Sequence, residues 1–376
     1  MSLNVETRAS VVLPDPEPLR LIDDAGRAVP TKRRQGFELP SDERLLELYR
    51  AMVVARRWDT QVTALTRQGR LATYPSALGQ EATEIGAVLA LEKTDWLFPT
   101  YRDSIALMTR GIAPIEILSG FRGDWHSGWD PHAHRTSTQS TPLATQALHA
   151  VGMGMAAKLR GDSIATMTFV GDGATSEGDT HEAFNFAGVW QTPTVFIIQN
   201  NQFAISVPLS KQTRARTLAD RAIGYGIPGY HVDGNDAAAV HAVVSAALDR
   251  ARCGDGPTII ECVTYRIEAH TNSDDPTRYR SSADVAAWKS RDPLERLEKY
   301  LVSQKMLTDA VRESITTDAE KMAELTRDEM NAEVSHDPMD LFDHVYAGSR
   351  PGLREQRDFL AAELAAETVA GAGAGQ

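Results

Sequence analysis

The chain is short of cysteine, of positive charge and of long apolar runs. Cys253 and Cys262 are its only cysteines among 376 residues. Two thiols build neither a disulfide framework nor a cysteine-rich metal site. A formal net charge of -12 argues against a nucleic-acid binder, because phosphate backbones need a basic surface. It leaves open small phosphorylated ligands, which need only a local cationic site. No apolar stretch approaches the roughly 20 residues that span a bilayer, so no membrane partner is expected. The beginning, "MSLNVETRASVVLPDPEPLRLIDDAGRAVP", has no signal-peptide core and too many acids for a mitochondrial transit peptide. These features together lead us to expect a soluble bacterial cytoplasmic protein.

What is present is an alternation of helical and strand signals. Residues 1–37 are Pro-rich and weakly periodic, and read as an extended arm. Ser41 is a helix N-cap ahead of Leu45, Leu46, Tyr49, Met52 and Val53 at helical spacing. Helices are expected over Gly79–Asp95, Pro142–Asp162, Glu177–Trp190 and the segment "AAAVHAVVSAALDRARCG" closed by Gly254. "SIATMTFV", "TVFIIQ" and "PTIIECVTYRI" read as buried strands. Strand–helix–strand order implies an α/β fold, a parallel sheet covered on both faces. Residues 122–142 form a long irregular, aromatic and Pro-broken stretch of the kind that is often functional. From about residue 285 the chain turns to charged amphipathic helix, and its last residues, "TVAGAGAGQ", are low-complexity and expected to be disordered. The expected domains are therefore the arm 1–37, an α/β domain with C-terminal helices over 38–350, and a C-terminal helix with its tail over 351–376.

Two short motifs carry chemistry. "GDG" at Gly171–Gly173 follows one apolar run, and "NN" at Asn200–Asn201 follows the next. In an open α/β sheet, ligands bind beyond the carboxyl ends of the strands. If the two strands are neighbours, Asp172 and Asn201 face one crevice. Both are hard oxygen ligands suited to magnesium or calcium. The glycines open the backbone to a bulky anion, and a following helix N-terminus favours phosphate. The physical reading is a magnesium ion bridging protein oxygens to a diphosphate. Taken singly, each motif is a common turn; the paired placement is what is specific. There is no Walker A sequence, and an EF-hand fails because the twelfth position from Asp172 is Ala183. "GMGMAA" at Gly152–Ala157 fits a dinucleotide fingerprint, but it follows a helical segment rather than a strand, so close packing by small residues is the preferred reading.

Asn201 lies 29 positions after Asp172, and in that arrangement the chain resembles thiamine-diphosphate enzymes. Roughly residues 38–350 are similar to the E1 alpha subunits of 2-oxo acid dehydrogenase complexes. The likeness rests on "RQGRLATYPSALGQEA", "TYRDSIALMTRG", "GDGATSEGD", "QNNQFAIS", "GYGIPGYHVDGND" and "TYRIEAHTNSDDPTRYR". It implies the thiamine-diphosphate-binding fold. It also implies magnesium held by Asp172, Asn201 and the main-chain carbonyl of Phe203. Tyr101, Arg102, Arg266 and His270 would surround the diphosphate, and Gly173, Ala174 and Glu177 would line it. Thr141 and Leu143 would contact the aminopyrimidine. "STPLATQ" resembles a potassium-binding stretch, suggesting Ser140, Pro142, Thr145 and Gln146. His270 is the catalytic candidate, assisting acyl transfer to lipoamide. The loop from Thr271 to Arg280 is similar to a segment phosphorylated in mitochondrial relatives.

The resemblance implies oxidative decarboxylation of a 2-oxo acid with acyl transfer to the lipoyl group of an E2 acyltransferase. No glutamate of this chain can be assigned to the pyrimidine; in two-subunit relatives a beta subunit supplies it, so an α2β2 assembly is expected. "STPLATQ" and "NSDDPTRYR" favour branched-chain over pyruvate enzymes. The other classes to be weighed are a nicotinamide oxidoreductase and a non-catalytic paralogue. Gln199, where relatives often carry a charge, and Ala269 beside His270 depart from the family pattern. Gln199 puts one diphosphate contact in doubt.

Overall fold

The computed structural model describes residues 13–124, 127–332, 337–343 and 345–373. Trp125 and His126 of the irregular stretch, the first twelve residues of the arm and the last three of the tail lie outside them. Residues up to Met330 form one compact unit and Asn331–Gln376 a second. Among the described residues no helix is long and apolar enough to cross a membrane.

A five-stranded parallel sheet organises the first unit. Its strands are β1 (Trp96–Phe98), β2 (Thr166–Gly171), β3 (Thr194–Asn200), β6 (Gly229–Asp233) and β7 (Thr258–Val263), in the order β1-β2-β3-β7-β6. A separate antiparallel hairpin pairs β4 (Phe203–Ala204) with β5 (Val207–Pro208). The three strands expected from apolar runs are the central ones. The two edge strands carry weaker signals: β1 has three residues, and β6 opens on the half-buried Gly229, Tyr230 and His231.

Alternation along the central strands builds two cores. Met167, Phe169, Val195, Ile197, Ile260 and Cys262 face α1 (Asp42–Arg67), α2 (Glu81–Val88) and the Ala237–Arg252 helix. Val170, Phe196, Ile198 and Ile259 face the Thr145–Arg160 and Gly178–Trp190 helices. Each residue step along a strand swaps faces, so a continuous apolar run feeds both layers. Ser41 caps α1 by accepting from the Arg44 N–H. The face expected to be apolar is buried at Leu45, Tyr49 and Met52, and it continues through Leu48, Ala55 and Trp58.

Several expectations change in detail. The helix expected over Gly79–Asp95 ends at Val88. Asp95 accepts from the Glu92 and Ala165 backbone N–H groups, which turns the chain into edge strand β1. "GMGMAA" lies inside the Thr145–Arg160 helix, so the strand a dinucleotide fingerprint requires is absent. A Cβ at Gly154 would stand 2.9 Å from Thr194 Oγ1, and this is where the helix sits close on the sheet. Residues 13–37 are not a free arm: Leu19, Leu21 and Ile22 are buried, and Leu19 bridges β6 at Val232. In the second unit, a helix runs from Pro351 to Gly373, including most of the segment expected to be disordered.

Candidate active site

Neighbouring strands β2 and β3 bring the two motifs together. Gly171 is in register with Gln199, and Asp172 N donates to the Gln199 carbonyl at 3.2 Å. Asp172 and Asn201 therefore leave the carboxyl ends of adjacent parallel strands, as their spacing predicted.

Asp172 is 1% exposed. Burial pushes its carboxyl up to about 6, against a lowering by the Gln212 bond and the nearby Arg266. A buried carboxylate in that state is one whose ionised form a cation beside it would favour. Among the described residues no group of three or more His, Cys, Asp or Glu is placed to hold a metal ion by itself. Any cation here meets one carboxylate plus neutral oxygens, which suits a hard ion that completes its shell from a ligand phosphate and water.

The Asn201 amide is oriented by a chain of buried side chains. Its Nδ2 donates to Gln80 Oε1 at 2.7 Å, Gln80 Nε2 donates to Gln199 Oε1 at 2.9 Å, and Gln199 Nε2 donates to Asp103 Oδ1 at 2.6 Å. With its nitrogen engaged inward, Asn201 keeps its Oδ1 toward the backbone N–H of Phe203, 3.3 Å away. Gln199 lines the cleft, and both ends of its amide are hydrogen-bonded within this chain.

The cations come from two other segments. Buried Asp59 on α1 accepts from Tyr74 Oη, Ser76 Oγ and Ala77 N, fixing the "TYPSA" turn. The Ser76 carbonyl in turn accepts from Arg102 Nη1 at 3.0 Å. Arg102 Nη2 donates to His270 Nδ1 at 3.1 Å and to the His270 carbonyl at 3.0 Å. Arg266, just after β7, donates to the Ile205 carbonyl at 2.6 Å and to Tyr279 Oη at 2.9 Å. Neither buried guanidinium is in an ion pair with a carboxylate among the described residues, and Arg266 Nε is buried without a partner. Burial, then Arg102, lowers the Arg266 pKa. Two adjacent buried cations without acids define an anion site.

His270 lies between them. Guanidinium N–H groups can only donate, so its Nδ1 accepts and its ring proton is on Nε2. Burial, reinforced by Arg102 and Arg266, pushes its pKa down to about 4. The imidazole is neutral at ordinary pH. Tyr101 meets it edge-on at 6.1 Å between ring centroids.

These groups converge on a cleft of about 840 Å³, counting the space open at its mouth. Of the residues singled out in the sequence, Tyr101, Arg102, Ser140, Leu143, Gln146, Asp172, Gly173, Ala174, Glu177, Asn201, Phe203, Arg266 and His270 line it; Thr141, Pro142 and Thr145 do not. Ser140 Oγ instead donates to the Pro142 carbonyl, while Gln146 Oε1 is buried without a partner. The two glycines differ. A Cβ on Gly171 would meet nothing within 4 Å, whereas one on Gly173 would stand 2.6 Å from Ala204 Cβ. Close approach of the β4–β5 hairpin thus by itself excludes a side chain at Gly173. Gln80, Asp103 and Gln212 were missed as site residues. Gln80 sits in a motif already singled out, and an amide opening a helix of small residues was its one signal.

The geometry is a cleft at the carboxyl ends of neighbouring parallel strands, where one buried carboxylate and neutral oxygens stand beside two buried guanidiniums. The family model described as dehydrogenase E1 component matches residues 49–339, and the chain belongs to that family, which implies thiamine diphosphate as the cofactor. It is 48% identical over 352 residues to the 3-methyl-2-oxobutanoate dehydrogenase subunit alpha of Mycobacterium tuberculosis, covering 93% of this chain and 95% of the relative. It is 44% identical over 262 residues to the pyruvate dehydrogenase E1 component subunit alpha of Staphylococcus aureus, covering 69% and 71%.

Proposed function

We propose that this chain is the alpha subunit of an E1 enzyme that oxidatively decarboxylates branched-chain 2-oxo acids and passes the acyl group to the lipoyl group of an E2 acyltransferase. The observation that carries the site is the pair of buried, acid-free guanidiniums, Arg102 and Arg266, beside the oxygens of Asp172, Asn201 and Phe203. The residues fit the cofactor. Asp172, Asn201 Oδ1 and the Phe203 carbonyl are magnesium ligands. Tyr101, Arg102 and Arg266 hold the diphosphate, and Gly173, Ala174 and Glu177 line it. Leu143, with Thr141 beside it, meets the aminopyrimidine. The unpartnered Gln146 Oε1 supports a potassium ion held with Ser140, Pro142 and Thr145. Thiamine diphosphate, when bound, supplies the carbon nucleophile and electron sink for decarboxylation.

This chain's residues neutralise charge, orient groups and donate hydrogen bonds. His270 is catalytic: neutral with its proton on Nε2, it would donate a hydrogen bond to the lipoyl sulfur released when the disulfide is opened by acylation, while the proton that sulfur takes up comes from solvent. Leu143, Ile205 and Val207 are exposed apolar residues, the first two on the cleft wall and the third on the hairpin beside it. That supports a beta subunit covering the site in an α2β2 assembly, in the cytoplasm. Every cleft residue falls within 38–350, which supports that range as the one holding the cofactor-binding domain.

The 48% relative, matched over nearly the whole chain, favours the branched substrate; the 44% relative keeps pyruvate as the second reading. The test is decarboxylation by this chain co-purified with its beta partner, supplied with thiamine diphosphate, magnesium and an artificial electron acceptor. A higher kcat/KM for 3-methyl-2-oxobutanoate than for pyruvate is expected; the reverse moves the enzyme to the pyruvate complex. Asp172→Ala is expected to abolish magnesium-dependent cofactor binding, and full binding in that variant would remove the metal assignment.

A further inference from the structure

A side chain outside the cleft wall reaches one of the metal ligands. Gln212 ends a four-residue helical turn, Leu209–Gln212, that follows the β4–β5 hairpin. Its Nε2 donates to Asp172 Oδ2 at 2.7 Å and to the Val207 carbonyl at 3.0 Å. Both amide hydrogens are thereby engaged, one on the carboxylate after β2 and one on strand β5. Gln212 Oε1 is buried and has no hydrogen-bond partner. A buried amide oxygen left without a donor is destabilising, so its persistence at a ligand site calls for a donor that arrives with the ligand.

We infer that Gln212 is a positioning residue of the metal site, coupling cation loading to the ordering of the 203–212 segment. The inference rests on the cofactor reading above. Its Nε2 fixes the direction of the Asp172 carboxylate. Its Oε1 accepts a hydrogen bond from a water molecule carried by the cation, since magnesium retains several of its waters. Because the hairpin also supplies Phe203, the same amide holds the two halves of the metal site together. Asp172 comes from one strand end and Phe203 from the hairpin, and Gln212 bonds to both segments. Groups that orient metal ligands typically change metal affinity about 10–100-fold when removed.

The test uses the assembled α–β enzyme with Gln212→Met, which keeps the volume and removes both hydrogen-bonding ends, and with Gln212→Ala as a second variant. Magnesium is titrated by calorimetry at fixed thiamine diphosphate, and hydrogen exchange over 203–212 is followed with and without magnesium. The expected result is a half-saturating magnesium concentration raised about 10–100-fold in both variants. The magnesium-dependent protection of 203–212 seen in the wild type is also expected to be lost. A purely structural role predicts a lower melting temperature without metal but an unshifted magnesium titration, and that result overturns the inference alone. A wild-type enzyme that binds no thiamine diphosphate with magnesium overturns the cofactor reading and this inference together.

Discussion

Replacing Gln80 by Met is expected to separate structural support from chemistry at this site. The side chain is fully buried and bridges Asn201 to Gln199. Met fills nearly the same volume, so the cavity contribution is small. What is lost is the acceptor for Asn201 Nδ2 and the donor for Gln199 Oε1, both buried. Each orphaned group costs about 1–3 kcal/mol, giving about 2–6 kcal/mol in all, a large part of a typical folding stability of about 5–15 kcal/mol. At about 2.1 cal/mol/K per residue, each kcal/mol lowers the melting temperature of a chain this long by little more than about 1 °C, so a fall of about 3–8 °C is expected in calorimetry. The second effect is specific. With nothing holding its nitrogen inward, the Asn201 amide is free to turn, and its oxygen no longer faces one direction. Half-saturating magnesium should rise about 10–100-fold. Gln80→Met combined with Gln199→Met should be less than additive, by about 0.5–3 kcal/mol, because both remove links of one network. An unchanged melting temperature with an unchanged magnesium titration would refute the relay.

Two further variants test separate points. His270→Ala should leave magnesium-dependent cofactor binding nearly intact but slow reductive acylation of lipoamide about 10²–10⁴-fold; unchanged overall turnover removes His270 from the catalytic list. His241, buried on the Ala237–Arg252 helix, donates from Nδ1 to the Gly86 carbonyl, and burial pushes its pKa down to about 4 from 6.5. Between those values the unfolded chain binds the proton and the native chain does not. Its contribution to stability is therefore complete above about pH 6.5 and is lost as pH falls toward 4. At pH 5 that loss is about 2 kcal/mol. His241→Asn, which can keep the donor and cannot titrate, should flatten the pH dependence of unfolding in this range, and an unchanged slope counts against the assignment.

Much of this was written locally. Apolar runs identified the three central strands because a parallel strand buried on both faces has no room for polar alternation. Asp172 and Asn201 were legible because a strand end is a fixed place in an α/β sheet, and the family pattern named Arg102, Arg266 and His270. Local signals failed where stability comes from the edge of a layer. The three residues of β1 and the polar start of β6 form strands because a paired neighbour is already there. The packing of Leu19, Leu21 and Ile22 within the segment read as an extended arm was not legible, because three apolar residues do not make a pattern.

The sheet class, the strand ends at the cleft and the kinds of side chain that meet there were legible in the residues alone. How those side chains are oriented is a property of the folded chain. Gln80 lies 121 positions from Asn201, Gln212 lies 40 from Asp172, and Arg102 lies 168 from His270. Hydrogen bonds across such separations leave no periodicity in the chain. They are set by which loops the sheet places side by side, and so the sequence gives the chemistry its parts while the fold fixes the direction each oxygen and proton faces.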